Sequence, residues 1–226
     1  MKKPFMLILL FVLGLGRMIR EAWALLCLAL LLSACATTPN KTMIPNDTVS
    51  FIKDAWVFSF SPNMPAHPTT SGTGWYFDFP SSDGVHYLLV PYRASKPHQT
   101  LTITYRVSGT GKFVGADTGC NRAPNFRPML ERNGDMMGAT QEFYRWWSNP
   151  DFAPLVADGQ VHTLTVPLVS ARWSDVYGKF NATEFSASLK DLMAVGVTFG
   201  SGCTAGHGAW TTGGKARFEL LNFQIL

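Results

Sequence analysis

The chain has 226 residues, of which 46% are hydrophobic, 13% aromatic and 15% charged. This composition excludes a disordered or collagen-like chain, and the length predicts one domain with accessory segments. The net charge is +4, but the first 34 residues contain four basic side chains and one acidic one, so the remainder is nearly neutral. A nucleic-acid-binding surface, which requires clustered basic residues, is therefore not predicted.

The N-terminal segment has the order of an export signal. Residues 18–35 place the basic Arg20 before an 11-residue apolar run at 22–32, which is too short to span a bilayer comfortably and ends in small residues. Residues 32–35, Leu-Ser-Ala-Cys, are similar to the lipobox of bacterial lipoproteins. This resemblance implies that residues 1–34 are a cleaved signal peptide and that Cys35 becomes the lipidated first residue. An ordinary cysteine in a transmembrane anchor is the alternative.

Residues 1–17 form a second basic-then-apolar unit ahead of that signal. Two stacked signals are not expected in one chain, so we predict that translation starts at Met18; a transmembrane helix over residues 4–32, interrupted by charges, is the alternative. Residues 35–48 are mostly small and polar and predict a lipidated tether, which two or three acyl chains would anchor stably. The lipoprotein resemblance also implies sorting to the outer membrane, because Ala36 rather than Asp follows Cys35.

The cysteine count agrees with export. Cys27 would leave with the signal peptide and Cys35 would be acylated, which leaves Cys120 and Cys203. An even pair in an oxidising compartment most simply forms a disulfide. Two free thiols and a zinc site are the alternatives, and for zinc only His207 lies close enough in sequence to add a ligand.

Apolar residues alternate with polar ones along most of the mature chain, the pattern of half-buried β-strands. The alternating runs cover residues 56–60, 75–79, 101–107, 162–168, 195–199 and 216–226. In the last run the parity changes between Leu220 and Leu221, which predicts a β-bulge. Helical spacing is limited to Phe185, Leu189 and Leu192, so one short helix is predicted after a cap at residue 181 or 183.

Three segments in the second half of the chain carry a recognisable pattern. They are DGQVHTLTVPL at residues 158–168, VGVTFG at 195–200, and ARFEL at 216–220 followed by Phe223. Together they resemble the galactose-binding-like β-sandwiches, the architecture of many carbohydrate-binding modules. The resemblance implies that residues 49–226 form an all-β, jelly-roll sandwich with a carbohydrate as ligand. Val161 stands where such modules often place a ligand-facing Trp.

Residues 143–147, Phe-Tyr-Arg-Trp-Trp, form the densest aromatic run. In a strand Arg145 and Trp147 would point to one side, and Tyr144 and Trp146 to the other. Only one side can face the core of a two-layer sandwich, so the other presents aromatic surface beside a charge. Such a surface suits a sugar, and we predict contacts from Tyr144, Arg145 and Trp146. Cover of the outer side by residues 150–155 is the alternative.

Residues 125–135 carry two arginines and two carboxylates next to a turn at Asn133 and Gly134. Alternation places Arg127, Met129 and Glu131 on one face of the predicted strand. Arg127 and Glu131 would bind hydroxyl groups or a sugar acid and complete the predicted ligand-binding set. The alternative is a solvated ion pair of small energetic value.

The glycine-rich stretch at residues 200–214 contains Cys203 and His207. Such a loop could hold an anion, but it lacks the Lys-Ser/Thr ending of a phosphate loop, so nucleotide binding is not predicted. His207 is interpreted as a turn residue, with a ligand contact as the alternative. No cofactor is predicted, although sandwiches of this kind often hold a structural Ca²⁺ near the terminal strands, where Asp54 and Glu219 lie.

No catalytic motif is recognisable, so the chain is not predicted to be an enzyme. Glu131, Glu142 and Asp175 could supply a pair of carboxylates for glycoside cleavage only if two of them stood roughly 5–10 Å apart across a cleft. The sequence therefore predicts a membrane-anchored bacterial lipoprotein whose sandwich binds a carbohydrate or cell-envelope glycan. An assembly lipoprotein that binds a protein partner is the first alternative, and a glycan-active enzyme is the second.

Overall fold

The computed structural model describes residues 54–226, apart from residues 73, 95, 96, 118, 139 and 205. The predicted signal peptide, the tether and Cys35 lie outside the described residues. Within the described part, no helix is long and apolar enough to cross a membrane.

The described part consists of fourteen strands and one α-helix, joined by short turns and loops. The elements are β1 (Val57–Ser59), β2 (Thr69–Ser71), β3 (Gly74–Asp78), β4 (Tyr87–Pro91), β5 (Thr100–Gly109), β6 (Lys112–Gly115), β7 (Asn125–Arg132), β8 (Arg145–Ser148), β9 (Ala153–Pro154), β10 (Val161–Pro167), β11 (Trp173–Ser174), α1 (Ala182–Lys190), β12 (Leu192–Gly200), β13 (Ala209–Thr212) and β14 (Ala216–Ile225).

The strands form two large antiparallel sheets and one two-stranded ribbon. One sheet has seven strands in the order β1-β4-β12-β7-β8-β11, with β9 paired to β7. The other has five strands in the order β10-β5-β14-β3-β2, and β13 pairs with β6 in the ribbon. Neighbouring strands are antiparallel throughout, so one face of each sheet can be buried while the other meets solvent.

The two sheets bury their apolar faces against each other. Tyr105 and Phe218 of the five-stranded sheet meet Phe126 and Phe199 of the seven-stranded sheet. The ring centroids of Tyr105 and Phe126 are 4.6 Å apart, and those of Phe199 and Phe218 are 5.4 Å apart, both in edge-to-face geometry. Tyr105, Phe199 and Phe218 belong to the alternating runs, and Phe126 lies on the core-facing side of β7, so all four rings lie in the layer between the sheets. The prediction of an all-β sandwich is confirmed.

Two local predictions are also confirmed. The pairing of β14 with β5 shifts register between Leu220 and Asn222, so the change of parity is a bulge. The helix begins after Asn181, whose Oδ1 accepts a hydrogen bond of 3.1 Å from the backbone N–H of Glu184. The placement of Leu192 on this helix is wrong. The helix ends at Lys190, and Leu192 is the first residue of β12, opposite Arg132.

The cysteine prediction is confirmed by a disulfide between Cys120 and Cys203, with Cα atoms 5.7 Å apart. It ties the segment after β6 to the connection between β12 and β13. Residues 200–214 were interpreted as a glycine-rich loop, but they also contain β13, which pairs with β6. This strand has only four residues and lies between glycines, so the sequence offers too short a run to show alternation.

Candidate functional site

The outer face of the seven-stranded sheet carries charged and aromatic side chains. On β7 the residues Arg127, Met129 and Glu131 share this face, while Trp147 lies opposite Met129 and Arg145 lies opposite Glu131 on the neighbouring β8. All five residues are buried by surrounding segments. The face predicted for Arg127, Met129 and Glu131 is thus the side of the sheet that faces away from the sandwich core.

A groove crosses this outer face. It consists of two cavities of about 640 and 540 Å³ that share four lining residues, Tyr87, Met137, Arg145 and His207. The first cavity is also lined by Phe60, Asp83, His86, Gly206 and Trp210. The second is also lined by Arg127, Trp147, Asn149, Asp175, Tyr177 and Thr204. Concave sites of this size, with apolar walls and a few polar groups, are typical of small-ligand sites.

The first end of the groove is aromatic. Phe60 is 60% exposed, and its ring meets that of Tyr87 edge-on with centroids 6.1 Å apart. Gly206 packs against the same tyrosine. Its φ is +75°, and a Cβ at this position would lie 2.3 Å from the Tyr87 hydroxyl oxygen. Burial raises the pKa of the Tyr87 hydroxyl, so it remains a neutral hydrogen-bonding group.

A buried ion pair holds the centre of the groove. The Arg145 Nε lies 3.0 Å from the Asp135 Oδ2, and another guanidinium nitrogen donates to the Gly138 carbonyl at 2.5 Å. Asp135 Oδ1 accepts the backbone N–H of Met137 at 2.9 Å. Burial raises the pKa of the Asp135 carboxyl, and the nearby Arg145 charge opposes this increase. These contacts fix Met137, at a φ of +58°, between the two cavities.

The second end of the groove contains two buried polar atoms that have no partner among the described residues. Asp175 is 2% exposed, and its Oδ1 accepts backbone N–H groups from Tyr177 and Lys179 at 2.8 and 2.9 Å. Neither its Oδ2 nor the Trp147 Nε1 has a hydrogen-bond partner among residues 54–226 that the structure describes. Buried polar atoms are normally paired, so these two atoms are unsatisfied within the described residues.

Arg127 lies in the same cavity and is 7% exposed. Its Nε donates to the Asn125 Oδ1 at 3.2 Å, and its guanidinium carbon lies 4.9 Å from the centroid of the Phe152 ring. Burial lowers the pKa of Arg127, and the nearby Arg122 charge lowers it further. Phe152 belongs to the segment that was considered as a cover, so this segment flanks the groove at Arg127 and leaves the cavity open.

Two residues predicted to contact a ligand are placed elsewhere. Trp146 has no exposed surface, because it points into the core, where its Nε1 donates to the Ser188 Oγ at 2.9 Å. Tyr144 is half-buried and does not line either cavity; its ring lies 5.3 Å from the Arg132 guanidinium carbon. The prediction for Trp146 is wrong, whereas the contact from Tyr144 stays a prediction; on β8 the residues that face the groove are Arg145 and Trp147.

Of the three candidate carboxylates, one lines the groove. Asp175 lines the groove, whereas Glu142 lies 3.3 Å from the Lys179 Nζ and Glu131 does not line either cavity. Glu219, considered for Ca²⁺, accepts hydrogen bonds from the Arg106 guanidinium through both carboxylate oxygens, at 2.6 and 2.9 Å. In the part of the chain that the structure describes, no three His, Cys, Asp or Glu side chains cluster as metal ligands.

The sequence reading missed several groove residues. Tyr87 lies on β4, which alternates Tyr87, Leu89 and Pro91 on the outer face with buried Leu88 and Val90. The five residues of β4, Tyr-Leu-Leu-Val-Pro, form an apolar run without polar alternation, so the sequence pattern does not show which of them face outward. Other missed groove residues come from loops and from the ribbon, among them Phe60, Met137, Tyr177 and Trp210.

No protein-family model matches the chain, and no curated protein matches it. Among solved structures the chain is similar to one described as "xylan-binding module CBM15". The sequence identity is 14% and the TM-score is 0.40, over 76% of this chain and 94% of that chain. The assignment as a β-sandwich therefore rests on the two sheets and on the core between them.

Proposed function

We propose that this protein binds a glycan in the groove on the outer face of the seven-stranded sheet. The observation that carries the proposal is the second end of the groove, where exposed Tyr177 stands beside Trp147 Nε1 and Asp175 Oδ2. These two buried polar atoms lack partners among the described residues. One atom donates and the other accepts, and a sugar hydroxyl can do both.

The chemistry of a sugar fits both ends of the groove. A pyranose has an apolar C–H face that packs on an aromatic ring, and the groove is lined by the rings of Phe60 and Tyr87 at one end and of Tyr177 at the other. Its hydroxyl groups can form hydrogen bonds with buried polar atoms, which cost free energy when they are left unpaired. The resemblance of residues 158–168, 195–200 and 216–220 to galactose-binding-like sandwiches favours the same class of ligand.

We also propose that the domain is held at the bacterial cell envelope through a lipid on Cys35. The support is the order of charge, apolar run and Leu-Ser-Ala-Cys sequence at residues 18–35. A carbohydrate or cell-envelope glycan would then lie within reach of the tether. Mass spectrometry of the membrane-extracted protein tests this: an acylated N-terminal Cys35 is expected, and a Cys35→Ser variant should remain unprocessed. An intact N-terminus with an unmodified Cys35 would contradict it.

The glycan proposal is tested on the full chain, extracted from membranes in a detergent that has no sugar headgroup. A glycan array identifies binders, and titration calorimetry then compares two variants. Tyr177 and Phe180 are 59% and 54% exposed and lie three positions apart, but only Tyr177 lines the groove. Tyr177→Ala should weaken binding about 2- to 12-fold, equivalent to about 0.5–1.5 kcal/mol, whereas Phe180→Ala should leave the affinity unchanged.

The proposal is overturned if the folded protein binds no glycan on the array. It is also overturned if Tyr177→Ala and Phe180→Ala reduce binding equally, because the binding surface would then lie outside the groove. In either case a protein partner becomes the leading hypothesis, and crosslinking from position 177 in intact cells would be the next measurement.

A further inference from the structure

We infer that the glycan carries an anionic group, a carboxylate or a sulfate, and that Arg127 binds it. This inference rests on the proposed function. Arg127 is 7% exposed and lines the second cavity, so its charge lies inside the groove and not in bulk solvent. Its one acceptor among the described residues is a neutral amide, Asn125.

Other arginines of the two sheets each pair with a carboxylate. Arg145 pairs with Asp135 at 3.0 Å, Arg106 with Glu219 at 2.6 Å, and Arg217 with Asp78 at 2.7 Å. No carboxylate oxygen of the described residues lies within 4.0 Å of the Arg127 guanidinium. Arg127 is therefore a buried cation whose charge the described part of the chain does not neutralise.

A buried charge without a counterion is costly, and a ligand anion would remove that cost. The guanidinium is planar and presents paired N–H donors that match the two oxygens of a carboxylate or sulfate. Since Nε already donates to Asn125, the terminal nitrogens remain for the ligand. Arg122 adds positive charge nearby, which favours an anion at the same place.

Asp175 also lines this cavity, but it lies on the far side of β8. Trp147 on β8 pairs with Met129 on β7 and with Ser174 on β11, so β8 separates Arg127 from Asp175. Neighbouring strands are about 4.8 Å apart, so the backbones that carry the two residues lie roughly two strand spacings apart, and Arg127 and Asp175 form no ion pair with each other. An anion at Arg127 is thus not held against the Asp175 carboxylate, which is left to accept a hydroxyl.

The experiment uses the full chain in the same detergent and an array of matched glycan pairs. Each uronic-acid oligosaccharide is accompanied by its carboxyl-reduced form, and each sulfated oligosaccharide by its desulfated form. Binding of the best acidic member is then titrated at low and high salt for the wild type, Arg127→Gln, Arg127→Lys and Arg217→Gln. Arg217→Gln changes the net charge equally but lies on the opposite sheet, so it controls for general electrostatics.

We expect acidic glycans to bind at least about tenfold more tightly than their neutral forms, with the preference falling as salt rises. Arg127→Gln should abolish the preference, Arg127→Lys should retain part of it, and Arg217→Gln should not change it. The uronate and sulfate pairs distinguish the two sources of the anion. Circular dichroism identifies any variant that does not fold. If Arg127→Gln does not fold, the affinity of Arg127→Lys and the salt dependence of wild-type binding test the inference instead.

The possible failures are distinguishable. If neutral and acidic members of each pair bind equally, the anionic ligand is ruled out while glycan binding stands. If acidic glycans are preferred but folded Arg127→Gln keeps the full preference, the assignment to Arg127 is wrong. If no glycan binds, the proposed function itself fails.

Discussion

Trp146 and Trp147 are consecutive residues of β8 that lie on opposite sides of the sheet. Trp146 has no exposed surface and packs edge-on against Phe185, with ring centroids 5.2 Å apart. Trp147 lies on the outer face opposite Met129 and lines the groove, where its Nε1 has no partner among the described residues. Two adjacent tryptophans therefore have different roles, one in the core and one in the groove, and substitution should separate them.

Replacement of Trp146 should affect stability and not binding. Trp146→Ala removes a ring from the core and the hydrogen bond to Ser188, and we expect the free energy of unfolding to fall by about 3–5 kcal/mol. Urea unfolding measures the loss, and glycan affinity is measured at a temperature where the variant is still folded. An affinity that decreased while the folded fraction stayed complete would contradict the core position.

Replacement of Trp147 by Phe should weaken binding. The substitution removes the Nε1 donor together with part of the indole ring system, so affinity should fall at least about 2- to 12-fold, the range of one hydrogen bond of about 0.5–1.5 kcal/mol. The free energy of unfolding should fall by less than it does for Trp146→Ala, because a smaller part of the ring is lost and an N–H without a partner among the described residues is removed with it. Lower stability combined with unchanged affinity would show that Nε1 does not face the ligand.

The tryptophan pair also shows how much the sequence could predict. Alternation correctly separated Trp146 from Trp147 and grouped Arg127 with Glu131, because the side-chain period of a strand is local. It could not tell which face of β8 meets the core, since both faces are aromatic. That choice depends on the partner strands β7 and β11, which come from distant parts of the chain.

Local signals were reliable for the same reason. The cap at Asn181 and the bulge after Leu220 depend on residues within a few positions of each other. The groove, in contrast, is assembled from β4, β7, β8, β11, β13 and several loops, so its composition follows from long-range pairing. Tyr87 and Trp210 are more than 120 residues apart in the chain and line the same cavity, a proximity that no local pattern encodes.

The disulfide should stabilise the wall of the groove. Cys203 lies in the connection that also carries Thr204 and His207, both of which line the second cavity. The bridge closes a separation of 83 residues, for which the chain-entropy model gives roughly 4 kcal/mol.

We therefore expect a Cys120→Ser/Cys203→Ser double variant to lose roughly that amount in urea unfolding and to bind glycan more weakly. A dithiothreitol-treated wild type should behave like the double variant, whereas the reductant should not affect the double variant itself. Equal midpoints for the oxidised and reduced wild type would show that the bridge contributes nothing to stability.

His86 should make the domain less stable as the solution becomes acidic. Its Nδ1 lies 3.1 Å from the Gly206 carbonyl, behind the aromatic end of the groove, and burial lowers its pKa below the ordinary 6.5. Below pH 6.5 the unfolded chain therefore binds a proton that the folded chain resists. The free energy of unfolding is then fully retained above pH 6.5 and falls as the pH decreases from 6.5 toward the folded-state pKa.

Urea unfolding at about pH 7.5 and about pH 5.5 measures this effect in the wild type and in His86→Asn, which keeps a donor for the Gly206 carbonyl. The wild type should lose stability at the lower pH. The variant should lose less or even gain, because Asp135, whose pKa burial raises, takes up a proton more readily in the fold than in the unfolded chain. An identical loss in both proteins would place the acid sensitivity at another group.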